Sequence, residues 1–135
     1  MSSMFSGCTS LKTVKLAGID TSKVTHMDNM FASCSSLESL DLTSLNTAAV
    51  QGMSSMFENC ASLKALTFSE AFDTANVETM NGMFAFCEAL PSLDLSSFDT
   101  SKVEDMALRF AGCSQLPSID LSSFDMGEVW TCDSM

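Results

Sequence analysis

Apolar residues recur along the chain in a fixed order with a period of about 26 residues. The segment "MSSMFSGCTSL" returns as "MDNMFASCSSL", "MSSMFENCASL", "MNGMFAFCEAL" and "MALRFAGCSQL". These copies divide the chain into repeats 1–26, 27–52, 53–79, 80–105 and 106–131, followed by a partial repeat, 132–135. The third repeat is one residue longer because its link between Phe68 and Phe72 is extended. Such self-similarity predicts a single block of stacked structural units.

Nine positions of the repeat are apolar in nearly every copy. In the first repeat they are Met1, Met4, Phe5, Cys8, Leu11, Val14, Leu16, Ile19 and Val24. One unit of this size cannot enclose nine apolar side chains, whereas stacked units bury them against equivalent neighbours. We therefore expect one continuous core without a catalytic cleft.

The period of the pattern changes within each repeat. The segment "SLESLDLTSL" alternates around Leu40 and Leu42, which predicts a short strand that pairs in parallel with its copies. The apolar spacing from Val24 to Cys34 predicts a helix, or a strand-like entry followed by one or two helical turns, and "FDTSK" suits a turn or helix cap. The predicted fold is an α/β repeat: a right-handed, leucine-rich-repeat-like solenoid with one short parallel strand and one short helix per 26-residue coil.

The net charge of the chain makes some classes of binding partner unfavourable. The 135 residues include 17 acids and 6 bases, for a net charge of −11. Such a chain is a poor partner for nucleic acid or for an anionic membrane surface. No apolar run approaches the roughly 20 residues of a membrane span. The sequence shows no signal segment, anchor or capping repeat, so we expect an internal block of a longer array.

Five of the six cysteines share one column: Cys8, Cys34, Cys60, Cys87 and Cys113. Equivalent positions in stacked units point the same way, which favours buried, reduced thiols over disulfides. No zinc-ligand spacing occurs. Cys132 stands outside the column and is the expected reactive thiol.

A polar column follows the link in each repeat: Asp20, Asn46, Asp73, Asp99 and Asp125. The preferred interpretation is turn capping, in which each side chain accepts a hydrogen bond from its own backbone two residues on. Calcium bound between stacked carboxylates is the alternative, but one carboxylate per repeat is sparse ligation. The Thr column that follows is also assigned to capping.

Several residues break the repeat. His26, the single histidine, falls at a solvent-facing position and has no catalytic pattern around it, so we expect no enzyme and no cofactor. Arg109 replaces a Met and is expected to be paired or to extend its head to water. Phe86 and Leu108 occupy positions that are polar in most copies, which predicts a small exposed apolar patch.

The candidate interaction face consists of the outward positions that flank the core residues of each predicted strand. Its members are Thr13, Lys15, Ser39, Asp41, Thr67, Ser92, Asp94, Ser118 and Asp120. The face is acidic and rich in hydroxyl groups but lacks the Trp, Tyr and Arg residues of tight interfaces. It therefore favours weak or multivalent binding.

The segment "LDLSSFDTSKVEDMALRFAGC" resembles the 26-residue repeat of bacterial surface proteins and mycoplasma-type lipoproteins, which are related to BspA-type leucine-rich repeats. The resemblance covers essentially the whole chain. It implies an extracellular, cell-surface protein linked to adhesion or host contact, and no enzyme.

Two functions remain open at the level of sequence. The first is an extracellular, adhesin-like module that binds a protein or host-surface ligand without inserting into a membrane. The second is a structural stalk or spacer that projects another domain and has no ligand of its own. Apolar side chains on the first and last units also predict end-to-end self-association.

Overall fold

A computed structural model describes residues 1–69, 71–125 and 127. Two strands form in this part of the chain, β1 (Ser39–Asp41) and β2 (Ala65–Thr67). They pair in parallel, with Leu40 opposite Leu66. The two strands are equivalent segments of the second and third repeats, so their parallel pairing agrees with the prediction for neighbouring repeats.

The segment predicted to be helical is a run of turns, and the described residues contain no helix. In the second repeat, Met30 N–H and Cys34 N–H donate to carbonyls three residues back, which are those of Met27 and Phe31. The N–H of Phe31 instead donates to Met56 O of the next repeat at 2.9 Å. The apolar spacing of this segment therefore predicted correctly which side chains are buried, but it did not predict that the backbone forms turns.

Two backbone columns explain why no helix forms. In each repeat two residues adopt positive φ, and a left-handed residue interrupts a right-handed helix. These residues are Ser3 and Gly7, Asn29 and Ser33, Ser55 and Asn59, Gly82 and Phe86, and Leu108 and Gly112. Most of them are Gly, Asn or Ser, which tolerate this conformation better than bulky residues do.

Equivalent backbone groups join one repeat to the next. Asn29, Phe31 and Ser33 donate their N–H groups to carbonyls of the third repeat at 2.7–2.9 Å. The same pattern recurs from the first repeat to the fifth. Single-residue parallel bridges connect His26 to Gly52, Gly52 to Thr79 and Thr79 to Asp105. Each described repeat therefore contacts its sequence neighbour at equivalent positions.

The core consists of the predicted apolar columns. Successive rings of the Phe column stack with centroids 5.3–6.0 Å apart, in the order Phe5, Phe31, Phe57, Phe84 and Phe110. The columns are most deeply buried in the second, third and fourth repeats. The predicted inward orientation of the Phe column is confirmed.

A column of threonines is buried beside this core. Thr47 Oγ1 donates to Asp73 O and accepts the N–H of the same residue, both at 2.7 Å. Thr21, Thr74 and Thr100 repeat this pair of bonds with the following repeat. Assignment of these threonines to capping was wrong, because their hydroxyls bond the backbone of the next repeat rather than their own.

The polar column makes the predicted turns. In each case a side-chain oxygen accepts the backbone N–H two residues on, at 2.8–3.1 Å. Asn46 makes the same bond as the four aspartates of the column. The capping interpretation of this column is therefore confirmed.

The first repeat is less covered than the third. Met4 is 53% exposed whereas Met56 is fully buried, and Phe5 and Leu11 are only partly buried. This difference was predicted. The corresponding expectations for Trp130 and Met135, for the thiol of Cys132 and for the partial repeat 132–135 lie outside the described residues.

Candidate interaction surface

The structure places all nine residues of the candidate interaction face at the surface. Ser39 and Asp41 are exposed on either side of the buried Leu40 in β1. Pairing of the strands puts Asp41 beside Thr67 of β2. The alternation of core and solvent positions along these strands therefore creates a continuous outward row.

The aspartates of this face are held in turns of their own, a feature that the sequence analysis missed. Asp41 Oδ1 accepts the N–H of Thr43 at 2.9 Å and its hydroxyl at 2.6 Å. Asp94 and Asp120 accept the N–H of the residue two positions on. These hydrogen bonds lower the pKa of Asp41, Asp94 and Asp120. The face therefore presents fixed, ionised carboxylates at neutral pH.

Three grooves lie along the face between neighbouring repeats. Their volumes are about 170 Å³ beside Asp41, about 320 Å³ beside Asp94 and about 90 Å³ between Asp94 and Asp120. The largest, which we call the Phe68 groove, is lined by Leu66, Thr67, Phe68, Ser69, Asp94, Ser96 and Ser97. It reaches the lower size of typical ligand pockets, about 300 Å³.

Two departures from the repeat coincide at the Phe68 groove. Phe68 occupies a column that is Leu in the other repeats, and the one-residue extension follows it directly. The Phe68 ring packs on Phe72 and Phe98, with centroids 4.7 and 5.3 Å away, but stays partly exposed. Its counterparts Leu42 and Leu95 are buried. An aromatic side chain therefore lies at a polar groove at this point of the face.

The two bulky apolar residues that break the repeat, Phe86 and Leu108, are both exposed, as predicted. Phe86 is 47% exposed and Leu108 is 50% exposed. Both have positive φ, 59° and 55°, although each is a bulky residue. The Phe86 ring lies against Gly112, where an added Cβ would come within 2.5 Å of the ring. A glycine at position 112 therefore makes room for this ring.

The cysteine column forms a ladder of S–H hydrogen bonds. The thiols of Cys34, Cys60, Cys87 and Cys113 each donate to a Phe carbonyl of the preceding repeat at 3.1–3.2 Å. Cys34, Cys60 and Cys87 are buried free thiols, as predicted, whereas Cys8 is exposed. Burial, reinforced by Cys34, raises the pKa of Cys60 to about 12. The buried thiols are therefore protonated and chemically shielded.

Arg109 does not adopt one of its two predicted arrangements, the one in which its head extends to water. It is 1% exposed, and none of its three guanidinium nitrogens has a hydrogen-bond partner within the described part of the chain. Its guanidinium carbon lies 5.2 Å from the centroid of the Phe124 ring. Burial lowers the pKa of Arg109 to about 10, and the charge of Asp105 opposes this change. The head of Arg109 therefore does not extend to water.

Other candidate chemistry is sparse. His26 is exposed, and its ring nitrogen Nδ1 lies 3.1 Å from Thr25 Oγ1. Within residues 1–69, 71–125 and 127, no three His, Cys, Asp or Glu side chains are grouped as metal ligands. In the same part of the chain, no helix is long and apolar enough to span a bilayer.

These features define a tandem-repeat protein whose units share one core and one outward face. The chain belongs to the family described as "Mycoplasma protein of unknown function, DUF285", which matches residues 1–69 and 65–135. Searches of curated proteins and of solved structures gave no significant match.

Proposed function

We propose that the chain is a right-handed, leucine-rich-repeat-like solenoid related to the BspA-type repeats. Each repeat donates backbone N–H groups to the next, and the Phe rings stack in sequence order. Contacts restricted to neighbouring units are characteristic of such arrays. These contacts support the proposal, although the turns of this chain stand where such a coil would carry its helix.

We propose that this repeat array is a non-enzymatic, extracellular module that contacts a protein or host-surface ligand through the candidate interaction face. The observation that carries this proposal is the Phe68 groove, which interrupts an otherwise regular face. A region that only spaces other domains requires no such departure. The exposed Phe86 and Leu108 add a second repeat-specific feature. No cofactor or metal is part of the proposal.

The test is binding of the fluorescently labelled protein to cultured animal cells and to immobilised matrix proteins. A variant with Ser39→Arg, Ser92→Arg and Ser118→Arg places three bulky side chains on the face, where all three serines are exposed. The matched control carries Thr25→Arg, Gln51→Arg and Thr79→Arg, also at exposed positions. The two variants have the same net charge.

Loss of binding in the face variant alone would support the interaction function. Equal binding by both variants and the parent would contradict use of this face. If the parent binds none of these surfaces, the interaction function is wrong.

A stalk or spacer is the second candidate, and the regularity of the face favours it. Asp41, Asp94 and Asp120 make the same turn in three different repeats. Each described repeat is also bonded to its neighbour along the backbone, which suits a stiff rod. A spacer would tolerate both Arg variants without any change in the cell attachment of a longer array that contains it.

A further inference from the structure

We propose that the Phe68 groove receives the cationic side chain, arginine above all, of a basic segment in a partner protein. This inference rests on the interaction function proposed above and gives the chemistry of its ligand.

The size and lining of the groove supply the first argument. At about 320 Å³ it is nearly twice as large as the equivalent groove beside Asp41 and is lined by both Phe68 and Asp94. The smaller groove has no aromatic side chain and contains Lys15, which would repel a cation. A single long side chain is therefore accommodated best at the Phe68 groove.

The charge of the groove supplies the second argument. Asp94 Oδ1 accepts the N–H of Ser96 at 3.0 Å, and this turn fixes the carboxylate at the rim. The bond lowers the pKa of Asp94, so that its negative charge persists well below neutral pH. Hydroxyl groups of Thr67, Ser69 and Ser97 add further hydrogen-bond acceptors. The net charge of −11 attracts basic partners from a distance.

Arginine matches this combination better than lysine or a neutral sugar. Its planar guanidinium stacks on aromatic rings and donates in pairs to carboxylates. Lysine offers a point charge without the planar stacking surface. A neutral sugar can donate hydrogen bonds from its hydroxyl groups to Asp94, but the negative net charge of the protein does not attract it.

The experiment measures the Kd of the folded chain for a labelled hexapeptide of alternating Arg and Gly. Matched peptides contain Lys or the neutral arginine analogue citrulline. We compare the parent with Asp94→Asn, Phe68→Leu and Asp20→Asn, of which Asp20 is exposed and lies outside the candidate interaction face. An Asn side chain can still accept the hydrogen bond of the turn, as Asn46 does in the neighbouring polar column. The Phe68→Leu variant introduces the residue that the other repeats have at the equivalent position.

The proposal predicts that Asp94→Asn raises the Kd of the Arg peptide about tenfold, because a charge-assisted hydrogen bond contributes roughly this factor to binding. Phe68→Leu should weaken it about threefold through loss of ring stacking. Asp20→Asn should change it less than about twofold. The citrulline peptide should bind at least about tenfold more weakly than the Arg peptide.

Equal losses for Asp94→Asn and Asp20→Asn would overturn the proposal, because the attraction would then belong to the whole acidic surface. Binding of a neutral trisaccharide that depends on Asp94, with no preference for Arg over citrulline, would also overturn it in favour of a sugar site. Cell binding that persists in Asp94→Asn and Phe68→Leu would refute this groove but leave the interaction function intact. Arg-specific binding without attachment to any cell or matrix surface would contradict the interaction function alone.

Discussion

The hydroxyl of Thr47 satisfies both backbone hydrogen-bonding groups of Asp73, one repeat away. Thr47 is fully buried, so water cannot replace it. Because a hydroxyl both donates and accepts hydrogen bonds, this one side chain joins two neighbouring repeats. A methyl group in its place would leave the N–H and the C=O of Asp73 without these hydrogen bonds.

Replacement of Thr47 by Val should therefore destabilise the protein. Val has the same shape but lacks the hydroxyl, and we expect a loss of about 1–3 kcal/mol in the free energy of unfolding. Urea denaturation measures the change. Thr79→Val is the control, because Thr79 is exposed, and it should cost less than about 0.5 kcal/mol. Equal effects of the two substitutions would show that the Thr47 bonds contribute nothing net.

Arg109→Met should stabilise the protein. Met30, Met56 and Met83 are fully buried at the equivalent position of other repeats. Removal of a buried charge that has no hydrogen-bond partner among the described residues should add about 1–3 kcal/mol, even after the contact with Phe124 is lost. Thermal and urea unfolding measure the change. A clear loss of stability would mean that the guanidinium is compensated in the native protein.

Phe86→Asn and Leu108→Gly should each relieve backbone strain. Asn59 and Gly82 occupy the same two columns with the same sign of φ. A left-handed conformation costs a bulky residue about 1–2 kcal/mol, so each variant should gain up to about 1 kcal/mol of stability. The reverse change, Asn59→Phe, serves as the matched control and should destabilise the protein. If Phe86→Asn is destabilising, packing of the ring on Gly112 outweighs the strain.

The thiol ladder predicts a stability that falls at alkaline pH. The pKa of Cys60 is raised from 9.0 to about 12, so between these values the native thiol keeps a proton that the unfolded thiol loses. The native state then binds more protons, and its stability decreases as pH rises, by about 0.7 kcal/mol per pH unit at pH 9 and by nearly 1.4 kcal/mol per pH unit above about pH 10 for this thiol. Urea denaturation between pH 8 and 10.5 measures this slope.

Cys60→Ala should reduce the slope by about 0.7 kcal/mol per pH unit near pH 9 and by about 1.3 kcal/mol per pH unit near pH 10.5, whatever its effect on stability at neutral pH. Thr79→Ala, which removes no titratable group from an exposed position, should leave the slope unchanged. Identical slopes for the parent and Cys60→Ala would contradict burial of the Cys60 thiol.

The sequence was sufficient to predict the core because burial depends on the repeat period, which is read directly from columns such as Phe31, Phe57 and Phe84. The turns at Asp20 and Asp99 were also predictable, because their hydrogen bonds are local. The signal against a helix was present in the Gly, Asn and Ser residues at positions 29, 33, 55, 59 and 82, but apolar spacing alone does not weigh backbone tolerance.

The candidate site was less predictable. The extension after Phe68 is visible in the sequence, but the groove depends on the position of the Phe68 ring relative to Asp94 of the next repeat. The role of Thr47 likewise depends on the position of a backbone 26 residues away. Neither the Phe68 groove nor the hydrogen bonds of Thr47 can be predicted from the conformational preferences of the local sequence.

Scalar couplings across hydrogen bonds, measured by NMR on the isotopically labelled protein, test the stacking of repeats most directly. The account predicts correlations from the amide nitrogen of Phe31 to the carbonyl carbon of Met56 and from that of Ser33 to Glu58, because these bonds are 2.9 and 2.7 Å long. A helix would instead connect Phe31 to Met27, four residues earlier. Correlations of this helical kind, without those to Met56 and Glu58, would contradict the stacked-repeat account.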